Sequence, residues 1–497
     1  MGGELTIGRW IRDRARTSPQ RTAIEFLGTR ITYAELERRS RLLAAGLRAR
    51  GLARGDRVAT LTATSPDHVV ALFACARAGV ALVPLSWRLT PAELRHQLED
   101  AQPALLLVSA EHGRLAEEAG TAVTRMRLGD EALERDAPAP DDAQDGDALL
   151  IVYTSGTTGR PKGAVLTHAN CFWTNLSFDL TTGIRADDVV LQVLPQFHVG
   201  GWNVQPLLAW WKGATVVLEP AFDPGRALQL IEERGVTTMM GVPATYQFMA
   251  EHERFADTDL GSLRLAVVGG APMPESLLES WAGRGVDLVQ GYGLTEAAPN
   301  VLCLPPEEAA HRLGWAGKPY PHVDVALRDP GSGELLEGPA AGELVVRGPN
   351  VFAGYWRNPQ ATAAAFADGW LLTGDVAERD ADGYYRIVDR LKELVISGGE
   401  NVYPAEIEAV LHAHPAVSEA AVVGVTDERW GEACVAFVAR REGAAAGEAE
   451  LRDHCRERLA RFKVPKAIHF VDALPRSGMG KVRKDDLRAS LEREAVR

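Results

Sequence analysis

The run Thr154-Ser155-Gly156-Thr157-Thr158-Gly159-Arg160-Pro161-Lys162-Gly163 packs three glycines, four hydroxyls and one lysine into ten residues, directly after the apolar stretch Ala148 to Tyr153. Glycines let successive backbone amides turn toward one point with no Cβ in the way. Amides arranged like this, with hydroxyl donors and an ammonium, suit a polyphosphate. No Gly-Lys-Ser/Thr closes the run, so it is not a Walker A loop, and a P-loop kinase or ATPase is set aside. A second run, Gln290-Gly291-Tyr292-Gly293-Leu294-Thr295-Glu296, begins at the end of a strand-like segment. It offers an aromatic face for a purine (Tyr292), a hydroxyl for a phosphate (Thr295) and a carboxylate for Mg2+ (Glu296). Gly269-Gly270-Ala271-Pro272 adds another stretch where the backbone can come close to a ligand. Thr373-Gly374-Asp375 brings a carboxylate able to accept from both hydroxyls of a ribose, with Asp389 and Arg390 downstream. Two further glycine loops are Ser397-Gly398-Gly399-Glu400-Asn401 and Pro475-Arg476-Ser477-Gly478-Met479-Gly480-Lys481, the second ending in a lysine that could reach a distant site. Read singly, the second run also fits an ordinary turn, Asp375 a turn residue and Lys481 a solvated charge.

Such loops need a frame, and the composition supplies one. The 497 residues are 46% hydrophobic and 24% charged, which suits several packed cores and excludes disorder as the main state. Lys and Arg number 54 against 67 Asp and Glu, a net charge of −13, which argues against a general nucleic-acid binder. The five cysteines include no CxxC pair, so zinc ribbons and dithiol redox motifs are excluded and a reducing compartment is expected. The longest apolar candidate, Ala71 to Leu85, is broken by Arg77, Gly79 and Pro84, so no integral membrane segment is expected. The charged N-terminus has no apolar leader, and a cytoplasmic protein is expected, with a homodimer admitted as its assembly.

The pattern along the chain alternates helix and strand, which points to parallel α/β sheets. Tyr33 to Gly51 reads as a helix, while Arg57 to Leu61, Val80 to Val83 (stopped by Pro84), Ala148 to Tyr153, Ala214 to Leu218, Leu263 to Val268 and Asp287 to Gln290 read as strands. Ala137 to Asp145 reads as a surface linker, and Val323 to Arg347 as a small β unit. Past the charged stretch at Asp389 to Glu393, about a hundred residues with strands near Ala420 to Val423 and Cys434 to Val438 make a small C-terminal domain.

Taken together and in this order, these segments resemble the adenylate-forming superfamily of acyl-CoA synthetases, luciferases and peptide-synthetase adenylation domains. The resemblance runs from Thr32-Tyr33-Ala34-Glu35-Leu36 to Lys481. It implies an α/β fold: a large N-terminal domain of packed α/β sheets with a small β-barrel-like unit, residues 1–390, and a small mobile α+β C-terminal domain, residues 391–497, hinged near Lys392. It implies three small-molecule partners, a carboxylic acid, ATP with Mg2+, and coenzyme A. By the same resemblance Thr154, Ser155, Gly156, Thr157, Thr158, Gly159 and Lys162 belong to the loop for the β- and γ-phosphates. Tyr292 stacks on the adenine, and Gly270, Ala271, Pro272, Gln290, Gly291 and Gly293 belong with it to the nucleotide site. Thr295 meets the α-phosphate, Glu296 the Mg2+, and Asp375 and Arg390 the ribose. Lys481 serves the first half-reaction. Gly398 and Gly399 line the pantetheine tunnel, and Trp430, Phe462 and Lys466, with Lys463, hold the CoA nucleotide. His198 stands where the family has a gate beside the carboxylate; a buried, hydrogen-bonded histidine is the other reading. Lys392 replaces the hinge Asp of many relatives, as in coumarate-CoA-ligase-like members.

The implied chemistry has two steps. A carboxylate attacks the α-phosphorus of ATP and expels pyrophosphate; the thiol of CoA then takes the acyl group from the adenylate. The acyl pocket implied by the resemblance includes Trp202, Asn203, Met239, Ala297 and Ala298, among stretches with no evident buried cation, so an uncharged tail is expected. A medium- to long-chain fatty acid is the leading expectation. An aryl acid, held by Asn203, Gln205 or Asn300, or an acyl-AMP ligase loading a carrier protein, is the alternative; luciferase-type oxidation and a non-catalytic nucleotide binder stay open. Lys481→Ala should lower adenylate formation about 10²- to 10³-fold, while supplied acyl-adenylate is still converted to thioester. Assay of the two half-reactions separately checks this, and equal loss of both refutes the assignment.

Overall fold

A computed structural model describes residues 3–154, 161–397, 400–427, 431–459, 461–476 and 482–495. The chain forms two compact units. One comprises residues up to Val325 together with Val345–Leu372, the other Ala326–Leu344 together with everything from Thr373 onward. Residues 373–390 thus pack with the C-terminal part, although the sequence reading places them before the hinge.

The first unit holds two sheets. In one, strands Leu288–Gly293, Leu265–Val268, Thr238–Gly241, Val189–Gln192, Thr215–Leu218 and Thr22–Phe26 lie side by side in that order, each parallel to the next. Antiparallel strands extend it at both edges: Asn300–Cys303 beside Leu288–Gly293, and Thr29–Thr32 beside Thr22–Phe26. In the other sheet, Ala81–Leu85, Arg57–Leu61, Leu105–Val108 and Arg125–Arg127 are parallel, and Ala148–Thr154 pairs antiparallel with Lys162–Thr167, which in turn carries the short strand Gly354–Tyr355. The alternation read from the sequence is therefore present, with one difference. Pro84 does not stop its strand but sits within Ala81–Leu85, paired with Thr60. So near the strand end, its missing N–H removes at most one ladder bond.

The second unit carries an antiparallel pair, Val417–Asp427 with Gly431–Arg440, flanked by Val395–Ser397 and by the parallel strand Ala467–Phe470. Helices Pro404–His412, Glu448–Arg458 and Lys484–Ala495 complete it. The β unit expected at residues 323–347 is a sheet built on strands Asp324–Arg328, Leu335–Leu336 and Ala340–Arg347. Among the described residues no helix is long and apolar enough to cross a membrane.

The amino ends of three neighbouring parallel strands are riveted by one carboxylate. Asp188, just before Val189–Gln192, accepts from the Arg185 N–H at 2.6 Å, from the Thr237 hydroxyl at 2.8 Å and from the Arg264 guanidinium, whose Nε lies at 3.0 Å. Thr237 and Arg264 immediately precede the strands Thr238–Gly241 and Leu265–Val268. Burial alone would raise the Asp188 pKa, but Arg264 and the two other donors hold it below the usual carboxylate range. A depressed folded-state pKa contributes stability above the unfolded value, about 3.9 for Asp, and that contribution is lost as pH falls through the folded value. Asp188→Asn should therefore cost about 1–3 kcal/mol of unfolding free energy at pH 7. Urea titrations of both proteins should show the gap narrowing below about pH 4.

Candidate active site

Parallel strands deliver all their carboxyl ends to one edge, where open α/β sheets bind ligands. Here Val189–Gln192, Thr238–Gly241, Leu265–Val268 and Leu288–Gly293 do so, with Gly241 paired to Val268 and Val268 to Gln290. The chain after Val268 is Gly269-Gly270-Ala271-Pro272, whose last three residues are exposed, and it runs beside Gly291 and the half-buried Tyr292. The two backbones lie so close that a Cβ on Gly269 would fall 2.9 Å from the Gly291 carbonyl oxygen. A Cβ on Gly293 would fall 2.0 Å from the Pro299 oxygen, which accepts from the Leu294 N–H at 3.0 Å. Glycine at 293 thus closes the loop that turns through Thr295–Ala297. The Gln290 Nε2 is buried with no hydrogen-bond partner among the described residues, a donor for which a purine ring nitrogen is a fitting acceptor.

Glu296 is reached from the other sheet. Thr154 and Lys162 face each other across antiparallel strands, and Tyr355 stands opposite Ala164 on the next strand, so all three share one face. The Tyr355 hydroxyl donates to Glu296 Oε1 at 2.8 Å, the Thr154 hydroxyl approaches the same oxygen at 3.4 Å, and the Lys162 Nζ lies 5.2 Å from the centre of the Tyr355 ring. The Glu296 loop is held from behind by the segment Gly348–Tyr355. The buried Asn350 amide donates to the Ala297 and Asn300 carbonyls, each at 3.0 Å, and the Phe352 N–H donates to the Glu296 carbonyl at 2.8 Å. Sequence reasoning did not single out Tyr355 or Asn350. The strand Gly354–Tyr355 is only two residues long, so its pairing leaves no periodic signal.

His198 ends the turn Pro195–His198, with its half-buried ring 4.7 Å from that of Phe197. Behind the turn, Trp202 is fully buried; its indole N–H donates to the Gln196 carbonyl at 2.6 Å, and its ring packs edge-on against His68. Burial pushes His68 down to about 3, so that imidazole is neutral. Asn203, expected to face an acyl tail, has both ends of its amide engaged inside the protein: its Nδ2 donates to Cys171 Sγ and its Oδ1 accepts from Asn175, both at 3.1 Å. Met239, also expected in the pocket, lies in the core with Tyr246, Met249 and Trp281. Side chains alternate along a strand, and it is Met240 that projects to the opposite side, near Gly269. Ala297 and Ala298 are fully buried.

In the second unit, Asp375 and Arg390 are register partners on antiparallel strands, and Arg390 Nε lies 2.9 Å from Asp375 Oδ1. Asp375 is 4% exposed, Arg390 largely exposed. The Asp375 N–H donates to the Thr373 hydroxyl at 3.1 Å. Asp389 accepts from the N–H groups of Arg390 and Ala405, at 2.7 and 2.9 Å. Burial pushes its pKa up, against the pull of those two N–H groups and of Lys484. Lys466 pairs with Asp427 at 2.8 Å and Lys463 with Glu406 at 2.7 Å. Ser155, Gly156, Thr157, Thr158, Gly159, Gly398, Gly399, Trp430 and Lys481 lie outside the described residues, as do the side chains of Lys392 and Phe462.

The family model of the AMP-binding enzymes matches residues 11–356, and that of the AMP-binding enzyme C-terminal domain matches residues 406–481. The chain belongs to the AMP-binding enzyme family. Among curated members, it is 45% identical to a feruloyl-CoA synthase of Amycolatopsis sp, over 97% of this chain and 98% of that one. It is 41% identical to an indoleacetate–CoA ligase of Aromatoleum aromaticum, over 99% of both chains, and 38% to the long-chain-fatty-acid–CoA ligase FadD13 of Mycobacterium tuberculosis, over 97% and 98%. Among solved structures, ATP-bound MatB from Rhodopseudomonas palustris superposes with a TM-score of 0.92 at 36% identity, over 99% of both chains. MenE from Bacillus subtilis, in complex with ATP and a magnesium ion, superposes with a TM-score of 0.88 at 34% identity, over 96% and 99%. Like these curated relatives, this AMP-binding enzyme is an acid–thiol ligase.

The donor set fits a magnesium nucleotide. Glu296 Oε1 is held by Tyr355, Oε2 has no hydrogen-bond partner among the described residues, and no cluster of three metal-ligating side chains occurs among them. One carboxylate is what Mg2+ takes from a protein when phosphate oxygens and water complete its shell. A Cβ at residue 293 would push the Leu294–Glu296 loop off Pro299, and a shift of about 1 Å in such a loop costs roughly 10²-fold in rate. Gly293→Ala should thus slow acid-dependent exchange of labelled pyrophosphate into ATP by about that factor, with the far-UV circular dichroism spectrum unchanged.

Proposed function

We propose that this enzyme activates an aryl carboxylic acid with ATP and passes the acyl group to coenzyme A. The observation that carries the reading is the cluster of Lys162, Thr154 and Glu296, which gathers an ammonium, a hydroxyl and a carboxylate whose second oxygen has no partner among the described residues. Mg2+ bound at Glu296 would supply positive charge to the phosphates as pyrophosphate departs. The chain's own residues do the rest. The loop Thr154 to Gly163 cradles the β- and γ-phosphates, Tyr292 stacks on adenine beside Gly270 to Pro272, and Thr295 donates to the α-phosphate. Asp375, oriented by Arg390, accepts from the ribose hydroxyls. Lys481 meets the charge that develops when two anions are brought together. For the thioester step, Gly398 and Gly399 pass the pantetheine arm, and Trp430, Phe462 and Lys466 take the nucleotide of CoA, with Lys466 exchanging Asp427 for a phosphate. A turn about Lys392 between the parts 1–390 and 391–497 exchanges the two sets of residues.

Two observations support an aryl acid over the fatty acid expected from the sequence. The feruloyl-CoA synthase is 45% identical to this chain and the fatty-acid ligase FadD13 38%. The Asn300 Nδ2 is also buried without a hydrogen-bond partner among the described residues, a donor suited to a ring oxygen and of no use to an alkyl tail. The fatty-acid reading rests on FadD13 and on the apolar stretches around His198 and Met240. The deciding experiment supplies ATP, Mg2+ and CoA with ferulate, coumarate, indoleacetate, decanoate, palmitate or malonate, and follows AMP and thioester. Hydroxylated aryl acids should exceed the alkyl acids by at least about tenfold in kcat/KM, and malonate should be inert. Higher kcat/KM for palmitate or decanoate reverses the choice of acid, and AMP without thioester points to a carrier-protein acceptor.

A further inference from the structure

Tyr355 touches two of the groups assigned to the magnesium nucleotide, Glu296 and Lys162, and stands in none of the runs singled out from the sequence. Sheet geometry explains how it gets there. Tyr355 pairs with Ala164, and Lys162 is the diagonal neighbour on the same face of the same strand. Ala164 between them is fully buried and small, which leaves room for the phenol ring to lie under the Lys162 ammonium at 5.2 Å. The ring's place is fixed independently. The Tyr355 N–H donates to the Thr362 hydroxyl at 2.9 Å, the Trp356 N–H donates to the Gly163 carbonyl at 2.7 Å, and Phe352 packs edge-on at 4.9 Å between ring centres. The hydroxyl is therefore delivered to Glu296 Oε1 at 2.8 Å by a scaffold that does not depend on the Glu296 side chain.

We propose that Tyr355 is a positioning residue for the magnesium nucleotide: its hydroxyl ties down one oxygen of Glu296 so that the other faces the metal, and its ring holds the Lys162 ammonium over the same face. This rests on the reading of Glu296 as the Mg2+ carboxylate. A phenol suits the task because it donates one directional hydrogen bond to a carboxylate, stays protonated at neutral pH and brings no charge that would repel the metal. Thr154 is the weaker tie on the same oxygen, at 3.4 Å.

The role separates two quantities that a merely structural tyrosine would move together. In Tyr355→Phe the ring and its hold on Lys162 remain and only the tie to Glu296 is lost. Calorimetric titration with Mg·ATP should show about tenfold weaker binding, whereas ATP in EDTA should bind within twofold of wild type. The KM for Mg·ATP should rise by a similar factor with kcat changed less than threefold, and the melting temperature should stay within about 2 °C. Tyr355→Leu also removes the ring, and binding of ATP in EDTA should then weaken as well. Phe352→Leu, a milder loosening of the same ring, serves if Tyr355→Phe does not fold; it should weaken Mg·ATP about threefold and ATP in EDTA by clearly less. In a Glu296→Gln background, Tyr355→Phe should have no further effect on Mg·ATP. Equal weakening with and without Mg2+, no weakening at all, or full additivity with Glu296→Gln overturns the role of Tyr355. Wild-type protein that binds Mg·ATP no better than ATP in EDTA overturns the placement of the metal at Glu296 instead.

Discussion

A parallel sheet has two unlike edges, and that asymmetry organises the first unit. At the amino edge the strands need only be tied, and Asp188 does this with one donor from the turn before its own strand and two from the starts of neighbouring strands. At the carboxyl edge every strand hands over to a loop, so the segments that carry His198, Gly269 to Pro272 and Thr295 to Glu296 leave the sheet at one edge although they are up to a hundred residues apart in the chain. Stability and chemistry are thereby kept at opposite ends of the same strands. Loops at the working edge can be strained, close-packed and rich in glycine because the frame beneath them is fixed elsewhere.

What the loops assemble is a place for negative charge. Activating an acid with ATP presses a carboxylate against a polyanion, so catalysis depends on positive charge and donors that are already in position. A protein carrying 54 basic against 67 acidic residues must do this locally. On the proposed reading it does so through Lys162 and through Glu296, whose carboxylate accepts from Tyr355 and Thr154 on one oxygen and would hold a metal with the other. A hydrogen bond from a neutral donor to a carboxylate contributes about 1.5–3 kcal/mol, enough for Tyr355 to bias which way that carboxylate faces.

Much of the architecture was legible in the residues. Strands such as Arg57–Leu61 and Thr215–Leu218 are short apolar runs bounded by turn residues, which is what a buried parallel strand looks like in any context. The pairing of Asp375 with Arg390 was not derivable from spacing, since it follows from the register of two antiparallel strands. Met239 and Met240 show the limit most plainly. Both are apolar, one packs into the core and the other projects toward Gly269, and only knowing which face of the sheet is covered tells them apart. Asn203 is another case: an amide in an apolar stretch reads as a ligand donor until Cys171 and Asn175 are found beside it. Tyr355 escaped because its partners Lys162 and Glu296 arrive from two distant segments, the first through a two-residue strand.

The Asp389 carboxylate gives the hinge reading a mechanical edge. It accepts from the Ala405 N–H in the first turn of the helix Pro404–His412, and so bridges from one side of Lys392 to the other. If the backbone turns at Lys392 as proposed, this bond either travels with the turn or breaks, and breaking it leaves a buried carboxylate and a bare helix start. Under the turn proposed at Lys392, such a tether would act as a latch that slows the change from one posture to the next.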